Sequence, residues 1–224
     1  MIATAADYVW FDDRFPSLVE GYCFTLVEGL RPEDVVARLG ARTEDLVARL
    51  GAWMDNVPSG MSFDDVIGAA CAGPGQYGAW DGHFFGAAAV GDWCLIVESN
   101  GGMGVTDEIM ERLSAGTRLV SHYRNVNAVG YFFWVEDGEV RLSFEPAIPE
   151  YRYGSDPDVL VDVMRRVGFD LGDGHQPDGT VPVDDFAGRI GTVFALAEHL
   201  TGVKLTARLL EESSYLCAVA PSAN

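Results

Sequence analysis

Between residues 83 and 147 the chain is a series of short apolar runs separated by glycine, asparagine and aspartate. The segment HFFGAAAVGDWCLIVESNGG holds two runs joined by Gly-Asp, and GTRLVSHYRNVNAVGYFFWVEDGEVRLSFEPA holds three, joined by an Asn-rich turn and by Asp137-Gly138. Residues that accept positive φ between two apolar runs are typical of β-hairpins. The pattern predicts a mainly antiparallel sheet.

The flanking segments predict further strands and the helices that cover the sheet. EGYCFTLVEGL (20–30) is rich in β-branched and aromatic residues and predicts a strand, and YLCAVAP predicts a last strand near the C-terminus. A helix with Asp156 as its N-cap and Pro157 in its first turn is predicted over 156–168. Further helices are predicted over 62–71 and 106–116, in VDDFAGRIGTVFALAEHLTG, and in ARLLEES, which Thr206 caps. Five to seven strands with about six helices define an α+β fold.

A tandem repeat follows the first predicted strand. RPEDVVARLGA (31–41) and RTEDLVARLGA (42–52) coincide at nine of eleven positions. Each copy has acids early, arginine late and glycine where a helix ends, which suits the helix macrodipole. The sequence leaves open whether the repeat forms two short helices or one helix interrupted near Gly40.

The domain organisation is predicted from one composition change. DLGDGHQPDGTVPVDD (170–185) has the composition of a linker. The segment that follows, 186–220, is too short to sustain an independent core, so we expect it to pack as a helical lobe on the same sheet. The prediction is one α+β domain over residues 1–224.

The net charge of the chain limits the classes of partner that we expect. Asp and Glu number 34 against 15 Lys and Arg, a formal net charge of −19. Such a surface repels nucleic-acid phosphates and anionic lipid headgroups, and it favours basic proteins. The N-terminus lacks the pattern of a signal peptide, and the four widely spaced cysteines suit a reducing compartment. We therefore expect a cytoplasmic protein with no nucleic-acid partner and no membrane association.

Catalytic and metal signatures are weak. The segment SNGGMG after the second run of the first hairpin has the composition of an anion-binding loop but not its spacing, so a tight turn is the simpler interpretation. The four histidines and four cysteines lack metal-ligand spacing, so no metal and no cofactor are predicted. The only acid–base set near one hairpin is Asp81, His83 and Glu98, and polar residues at strand ends are the alternative interpretation.

Aromatic residues are the other candidates for binding. YFFW (131–134) must place two rings on each face of a strand, so at least one face needs cover from a helix or a partner. Aromatic side chains serve equally in cores, ligand pockets and protein interfaces. The predicted binding residues are Trp93, Asn100, Tyr131, Phe133 and Trp134.

Several of these segments together resemble a family of actinobacterial proteins of unknown function. The likeness rests on CFTLVEGLRPEDVVARLGA, on WxLxxExNG in GDWCLIVESNG, on LSxGT in LSAGTRLVSHYRNVN, on FFWVEDGEVRLSFEP and on DPDVLVDVMRRVGF. It extends over about residues 20–215. The resemblance implies a fold and a bacterial source, and it implies no catalytic residue.

Three hypotheses about function follow from the sequence. The first is a non-enzymatic acidic binding protein that engages a basic protein, as an immunity or inhibitor protein or a defence-system accessory would, because charge complementarity speeds association and masks a cationic site. The second is a small-molecule-binding or enzymatic domain with an aromatic pocket. The third is a structural subunit that forms a homodimer.

Overall fold

A computed structural model describes residues 2–43, 46, 60–75, 79–172 and 186–222. The described residues form one antiparallel sheet of eight strands in the order β7-β6-β5-β4-β1-β3-β2-β8. The strands are β1 Tyr22–Glu28, β2 His83–Val90, β3 Trp93–Ser99, β4 Arg118–Arg124, β5 Gly130–Glu136, β6 Glu139–Phe144, β7 Arg152–Tyr153 and β8 Leu216–Ala220. The predicted α+β class and antiparallel sheet are confirmed, with one strand more than the predicted upper number.

The described residues also form eight α-helices. These are α1 Trp10–Arg14, α2 Pro16–Val19, α3 Pro32–Leu39, α4 Phe63–Ala70, α5 Asp107–Ser114, α6 Val161–Val167, α7 Phe186–Thr201 and α8 Ala207–Glu212. Short 3₁₀ turns occupy Ala5–Tyr8 and Met103–Val105. Thr206 caps α8 as predicted, because its hydroxyl accepts a hydrogen bond from the Leu209 N–H at 3.1 Å.

The predicted N-terminus of α6 is wrong. The helix begins at Val161, not next to Asp156, and the residues before it form turns. The Asp156 carboxylate instead pairs with Arg141 at 3.4 Å. A tertiary ion pair therefore uses the side chain that the local sequence offers as a helix cap.

The two faces of the sheet carry separate hydrophobic cores. On one face Tyr22, Phe24 and Leu26 of β1 belong to the core that includes Phe194 of α7, and we call this the α7 face. On the other, Val27 belongs to the core that includes α3 and α5, which we call the α5 face. Successive residues of a strand point to opposite faces, so β1 is buried on both sides.

The two copies of the tandem repeat lie in different environments. Val35 and Leu39 of the first copy, in α3, pack in the core of the α5 face, and Gly40 ends the helix with φ of 60°. Leu46 of the second copy belongs to the core of the α7 face. Apart from Leu46, the residues of that copy after Thr43 lie outside the described residues, and so does the predicted choice between one helix and two.

The C-terminal segment is part of the same sheet. α7 packs against β4 and the N-terminal 3₁₀ turn, and β8 pairs with β2 at the edge of the sheet. Residues 173–185 of the predicted linker lie outside the described residues. In the part of the chain that the structure describes, no helix is both long and apolar enough to span a bilayer.

Candidate functional site

Four polar side chains meet at the centre of the α5 face. Cys23 and Thr25 come from β1, Ser121 from β4 and Glu98 from β3, and all four are buried. The Thr25 and Ser121 hydroxyls are 2.9 Å apart, and Cys23 Sγ lies 3.5 Å from Ser121 Oγ. In the sheet register Cys23 is opposite Glu98 and Thr25 is opposite Ser121. The pairing of three strands therefore assembles the cluster.

The Gly-rich segment after β3 folds back over this cluster. The backbone N–H of Met103 donates to Glu98 Oε1 at 3.1 Å, and that of Gly104 donates to Oε2 at 3.3 Å. The segment thus presents N–H groups to an anion, and the anion is the protein's own carboxylate. The predicted tight turn is present, with Asn100 at φ of 56°, and it also has the donor geometry of an anion loop.

Burial of the Glu98 carboxyl raises its pKa to about 7, although the Met103 and Gly104 N–H groups and the Cys23 thiol act in the opposite direction. Glu98 therefore changes its protonation near neutral pH, whereas an exposed glutamate does so near 4.5.

The segment fits because position 104 is glycine. A Cβ on Gly104 would overlap Thr25 Oγ1 and would lie 2.8 Å from Cys23 Sγ. The loop backbone can approach the cluster only where no side chain intervenes. The sequence indicated Glu98 and the Gly-rich turn, but it did not place Cys23, Thr25 and Ser121 beside them, because β1 and β4 are distant in sequence from β3.

The Cys23 thiol of this cluster is a poor nucleophile in this structure. Burial raises the pKa of the Cys23 thiol, and the nearby Glu98 carboxylate raises it further, so the thiol stays protonated. A protonated thiol is a poor nucleophile, and the side chains that surround it exclude solvent. The cluster therefore holds the 101–104 segment on the sheet through the hydrogen bonds of Glu98. We call Cys23, Thr25, Glu98 and Ser121 the polar clamp.

Among the described residues, no hydrogen bond joins Asp81 or His83 to Glu98. His83 begins β2 opposite Ala220 of β8, and burial lowers its pKa. The Asp81 carbonyl oxygen accepts a long hydrogen bond of 3.4 Å from Arg42. The Glu98 carboxyl accepts hydrogen bonds from the Met103 and Gly104 N–H groups of the segment that follows its own strand. A catalytic role of the three residues stays a prediction.

The five predicted binding residues have different surroundings. Trp93 is buried in the core of the α7 face beneath the Arg118 guanidinium, whose carbon is 5.4 Å from the ring centroid. The Asn100 N–H donates to the Gly21 carbonyl at 3.0 Å, which closes the end of β1 against β3. Trp134 lies on the α7 face, where its indole N–H donates to Glu136 at 3.2 Å.

Tyr131 and Phe133 lie on the α5 face, where cover is incomplete. Tyr131 is 42% exposed and stacks on Tyr123 with ring centroids 6.3 Å apart. Phe133 is opposite Ser143 of β6, which is opposite Tyr153 of β7, so Phe133 and Tyr153 share this face. Tyr153 is 66% exposed. We call Tyr123, Tyr131, Phe133 and Tyr153 the tyrosine face.

His122 is a buried histidine that the predicted site residues did not include. His122 of β4 is enclosed by the rings of Tyr22, Phe24 and Phe194, and its two ring nitrogens have no hydrogen-bond partner among the described residues. Burial lowers its pKa to about 3, so the imidazole is neutral at physiological pH. Nothing in SHYRN distinguishes it from a half-exposed strand residue.

Among the described residues, no group of three or more His, Cys, Asp or Glu side chains is placed to hold a metal ion. The described side chains thus form a buried polar clamp and an open aromatic face on one side of an antiparallel sheet. These features define an α+β protein with a buried polar cluster and a partly exposed aromatic surface.

The chain belongs to DUF6461, a family of unknown function whose model matches residues 1–224. The predicted membership in a family of unknown function is confirmed, over more of the chain than residues 20–215. Neither the curated proteins nor the solved structures contain a significant match to the chain. The actinobacterial source stays a prediction.

Proposed function

We propose that this protein is a non-enzymatic binding protein that engages a basic protein through its tyrosine face. The observation that carries the proposal is the exposure of Tyr131 and Tyr153 on a sheet face that helices cover elsewhere. Burial alternates between neighbouring residues at the start of β5, since Phe132 points to the α7 face and is buried whereas Tyr131 points to the α5 face and is exposed.

Tyrosine is suited to this role because its ring buries a large apolar area while its hydroxyl remains able to hydrogen-bond. Tyrosine and arginine are enriched among the residues that dominate binding energy at interfaces. The stacked pair Tyr123 and Tyr131 provides a preordered surface, so little side-chain entropy is lost on binding.

The net charge of the chain predicts the sign of the partner's net charge. A net charge of −19 accelerates association with a positively charged protein and disfavours acidic ones. An inhibitor of a basic toxin or nuclease uses this complementarity to cover a cationic active site. We therefore propose an immunity protein, an inhibitor or a defence-system accessory as the finer description.

The polar clamp supports the non-enzymatic part of the proposal. Its nucleophilic atom, Cys23 Sγ, is fully buried and protonated, and its carboxylate is engaged by backbone N–H groups. These groups stabilise the fold from the interior, whereas the exposed residues on the same face are aromatic.

The test is an affinity capture from native lysate at low and at moderate salt, with the wild type and the double variant Tyr131→Ser, Tyr153→Ser. We expect one basic protein to be retained by the wild type, released as salt rises, and lost from the double variant. The control variant Val9→Ser replaces an apolar residue that is 60% exposed and lies outside the tyrosine face. This variant should retain the partner. Titration of the purified partner against each variant then gives the change in Kd.

Two outcomes contradict the proposal. If the double variant retains the same protein, the interface lies outside the tyrosine face. If the wild type retains only acidic proteins, or no protein, charge complementarity does not determine the partner. A wild-type mass in solution twice that of the double variant would instead favour the homodimer hypothesis.

A further inference from the structure

The tyrosine face lies beside the last of the helices that cover the α5 face. Among the described helices, α3 and α5 contribute the apolar residues that pack in the core of this face. α3 contacts β2 and β8, and α5 contacts β4 and β5. Farther along the sheet, Tyr131 of β5 and Tyr153 of β7 are exposed. The two helices therefore cover one side of the α5 face and leave the tyrosine face open next to α5.

The open area has the dimensions of one additional helix. Adjacent strands lie about 4.8 Å apart, so β4 and β7 are separated by about 14 Å. An α-helix with its side chains is about 10–12 Å wide. Along the strands, the seven residues of β5 extend over about 23 Å, which is the length of a helix of about 15 residues.

A partner cannot extend the sheet at this side by adding a strand to β6. The N–H groups of Ser155 and Asp156 donate to the carbonyl oxygens of Val140 and Arg141 at 2.9 and 3.0 Å, next to the pairing of β6 with β7. The outer strand, β7, has only two residues. A partner therefore contacts the side chains of the tyrosine face, and a sheet face of this kind is covered by helices elsewhere in the same domain.

Two acidic residues of α5 flank the tyrosine face. Glu111 lies near the β5–β6 turn, since a Cβ on Gly138 would come 3.5 Å from the Glu111 Cγ. Asp107 is one helical turn earlier, and both residues are exposed. Their carboxylates favour a positively charged segment beside α5.

The arginines of β4, β6 and β7 do not offset these carboxylates, because they lie on the other side of the sheet. Each of them is opposite or over an aromatic residue of the α7 face: Arg118 over Trp93, Arg124 opposite Tyr22, Arg141 over Trp134 and Arg152 opposite Phe144. The tyrosine face is thus aromatic in its middle and acidic along its border with α5.

We infer that the tyrosine face binds a basic amphipathic α-helix of the partner, which lies beside α5. This inference rests on the proposed function and names the segment of the basic protein that makes the contact. Apolar residues at positions i, i+3, i+4 and i+7 of that helix contact Tyr131, Phe133 and Tyr153, and lysine or arginine residues at its border meet Asp107 and Glu111.

The test uses two synthetic peptides of about 15 residues that contain the same numbers of leucine and lysine residues. In one peptide leucine recurs at the spacing of a helix face, and in the other leucine and lysine alternate as in a strand. Because the two peptides carry equal charge, general attraction to an acidic protein raises the affinity of both. By fluorescence anisotropy, the helical peptide should bind about tenfold tighter or more. Far-ultraviolet circular dichroism should show that it gains helix on binding.

Three variants test the position of the helix. Ser143→Arg places a bulky cation between Phe133 and Tyr153 without removing an aromatic ring, and it should weaken the helical peptide by about tenfold or more. Glu111→Gln should weaken it by about two- to fivefold, as expected for one exposed ion pair. The matched control is Glu139→Gln, which removes an exposed carboxylate from the α7 side of β6 and should leave the affinity unchanged. Thermal unfolding establishes that each variant is folded.

Equal affinities of the two peptides, or an unchanged affinity of the helical peptide in Ser143→Arg and Glu111→Gln, would overturn the inference. If lysate capture still yields a basic protein that the Tyr131→Ser, Tyr153→Ser variant loses, the proposed function stands and the partner uses a different kind of segment. Absence of any such protein overturns both. A wild-type dimer that becomes monomeric in Ser143→Arg would place a second copy of the chain on the tyrosine face and would also overturn the inference.

Discussion

The Met103 backbone N–H donates a 3.1 Å hydrogen bond to Glu98 Oε1 across the turn that follows β3. The two residues are five positions apart, and the carboxylate occupies the place that a bound anion takes in a phosphate loop. The Gly-rich segment is thus held by a group from inside the protein. Because this group is a buried acid, the stability of the segment depends on pH.

Replacing Glu98 with glutamine should change how stability depends on pH. Burial raises the pKa of Glu98 from its ordinary 4.5 to about 7, so the folded state holds a proton that the unfolded chain releases. The stabilisation from this proton is complete below pH 4.5 and is lost as pH rises through 7. The free energy of unfolding of Glu98→Gln, relative to wild type, should therefore increase by ~2 kcal/mol between pH 5 and pH 8.

Urea denaturation at a series of pH values measures this difference. Glu139→Gln removes an exposed carboxyl from β6 and serves as the control, for which we expect a nearly constant difference over the same range. A constant difference for Glu98→Gln as well would show that the carboxyl is not protonated in the folded protein.

For the replacement of His122 with phenylalanine, the difference in stability from wild type should change with pH in the opposite direction. The folded-state pKa of His122 is lowered from 6.5 to about 3, so the unfolded chain binds a proton that the folded protein does not. The stability that depends on the neutral imidazole is present above pH 6.5 and is lost as pH falls towards 3. The advantage of His122→Phe over wild type should grow by ~2 kcal/mol as pH falls from 7.5 to 5.

In the wild type the contributions of Glu98 and His122 oppose each other between about pH 4.5 and 6.5. In each single variant, the dependence of the free energy of unfolding on pH should therefore reflect the titration of the other residue. If the stability of His122→Phe and wild type differs by the same amount at every pH, the imidazole is not held neutral by burial.

Adding a methyl group at position 104 should disrupt the clamp. Because a Cβ on Gly104 would overlap the Thr25 and Ser121 hydroxyls, we expect Gly104→Ala to destabilise the protein by about 1–3 kcal/mol. Gly68→Ala is the matched control, since Gly68 is exposed in α4 and its Cβ would meet nothing within 4 Å. Alanine there should be neutral or stabilising by about 0.5–1 kcal/mol. Equal effects of the two changes in thermal unfolding would contradict the close packing of the clamp.

The four cysteines should divide into one reactive thiol and three protected ones. Cys71 is exposed, whereas Cys23, Cys94 and Cys217 are buried. Burial raises the pKa of each of the three, to about 12 for Cys94 and Cys217. Titration with a thiol-specific chromogenic reagent should detect one group in the native protein and all four in denaturant. Cys71→Ser should remove the fast reaction, and a fast reaction that survives this change would place one of the other thiols at the surface.

The sequence alone determined the local elements of this protein. The hairpin β2–β3 and the hairpin at Asp137-Gly138 were predictable because a turn and its flanking strands are adjacent in the chain. The helices α3, α4 and α5 were predictable because their apolar spacing and end residues are local signals. The two-residue strand β7 was not, since two residues carry no periodicity.

The sheet order and the candidate sites were decided by tertiary structure. β1 lies between β3 and β4, which follow it by more than sixty residues, and local hydrophobic alternation does not specify such a neighbour. That placement brings Cys23, Glu98 and Ser121 together. Charge and composition follow from the residues themselves, whereas burial and altered pKa values arise only when distant segments exclude water from the same place.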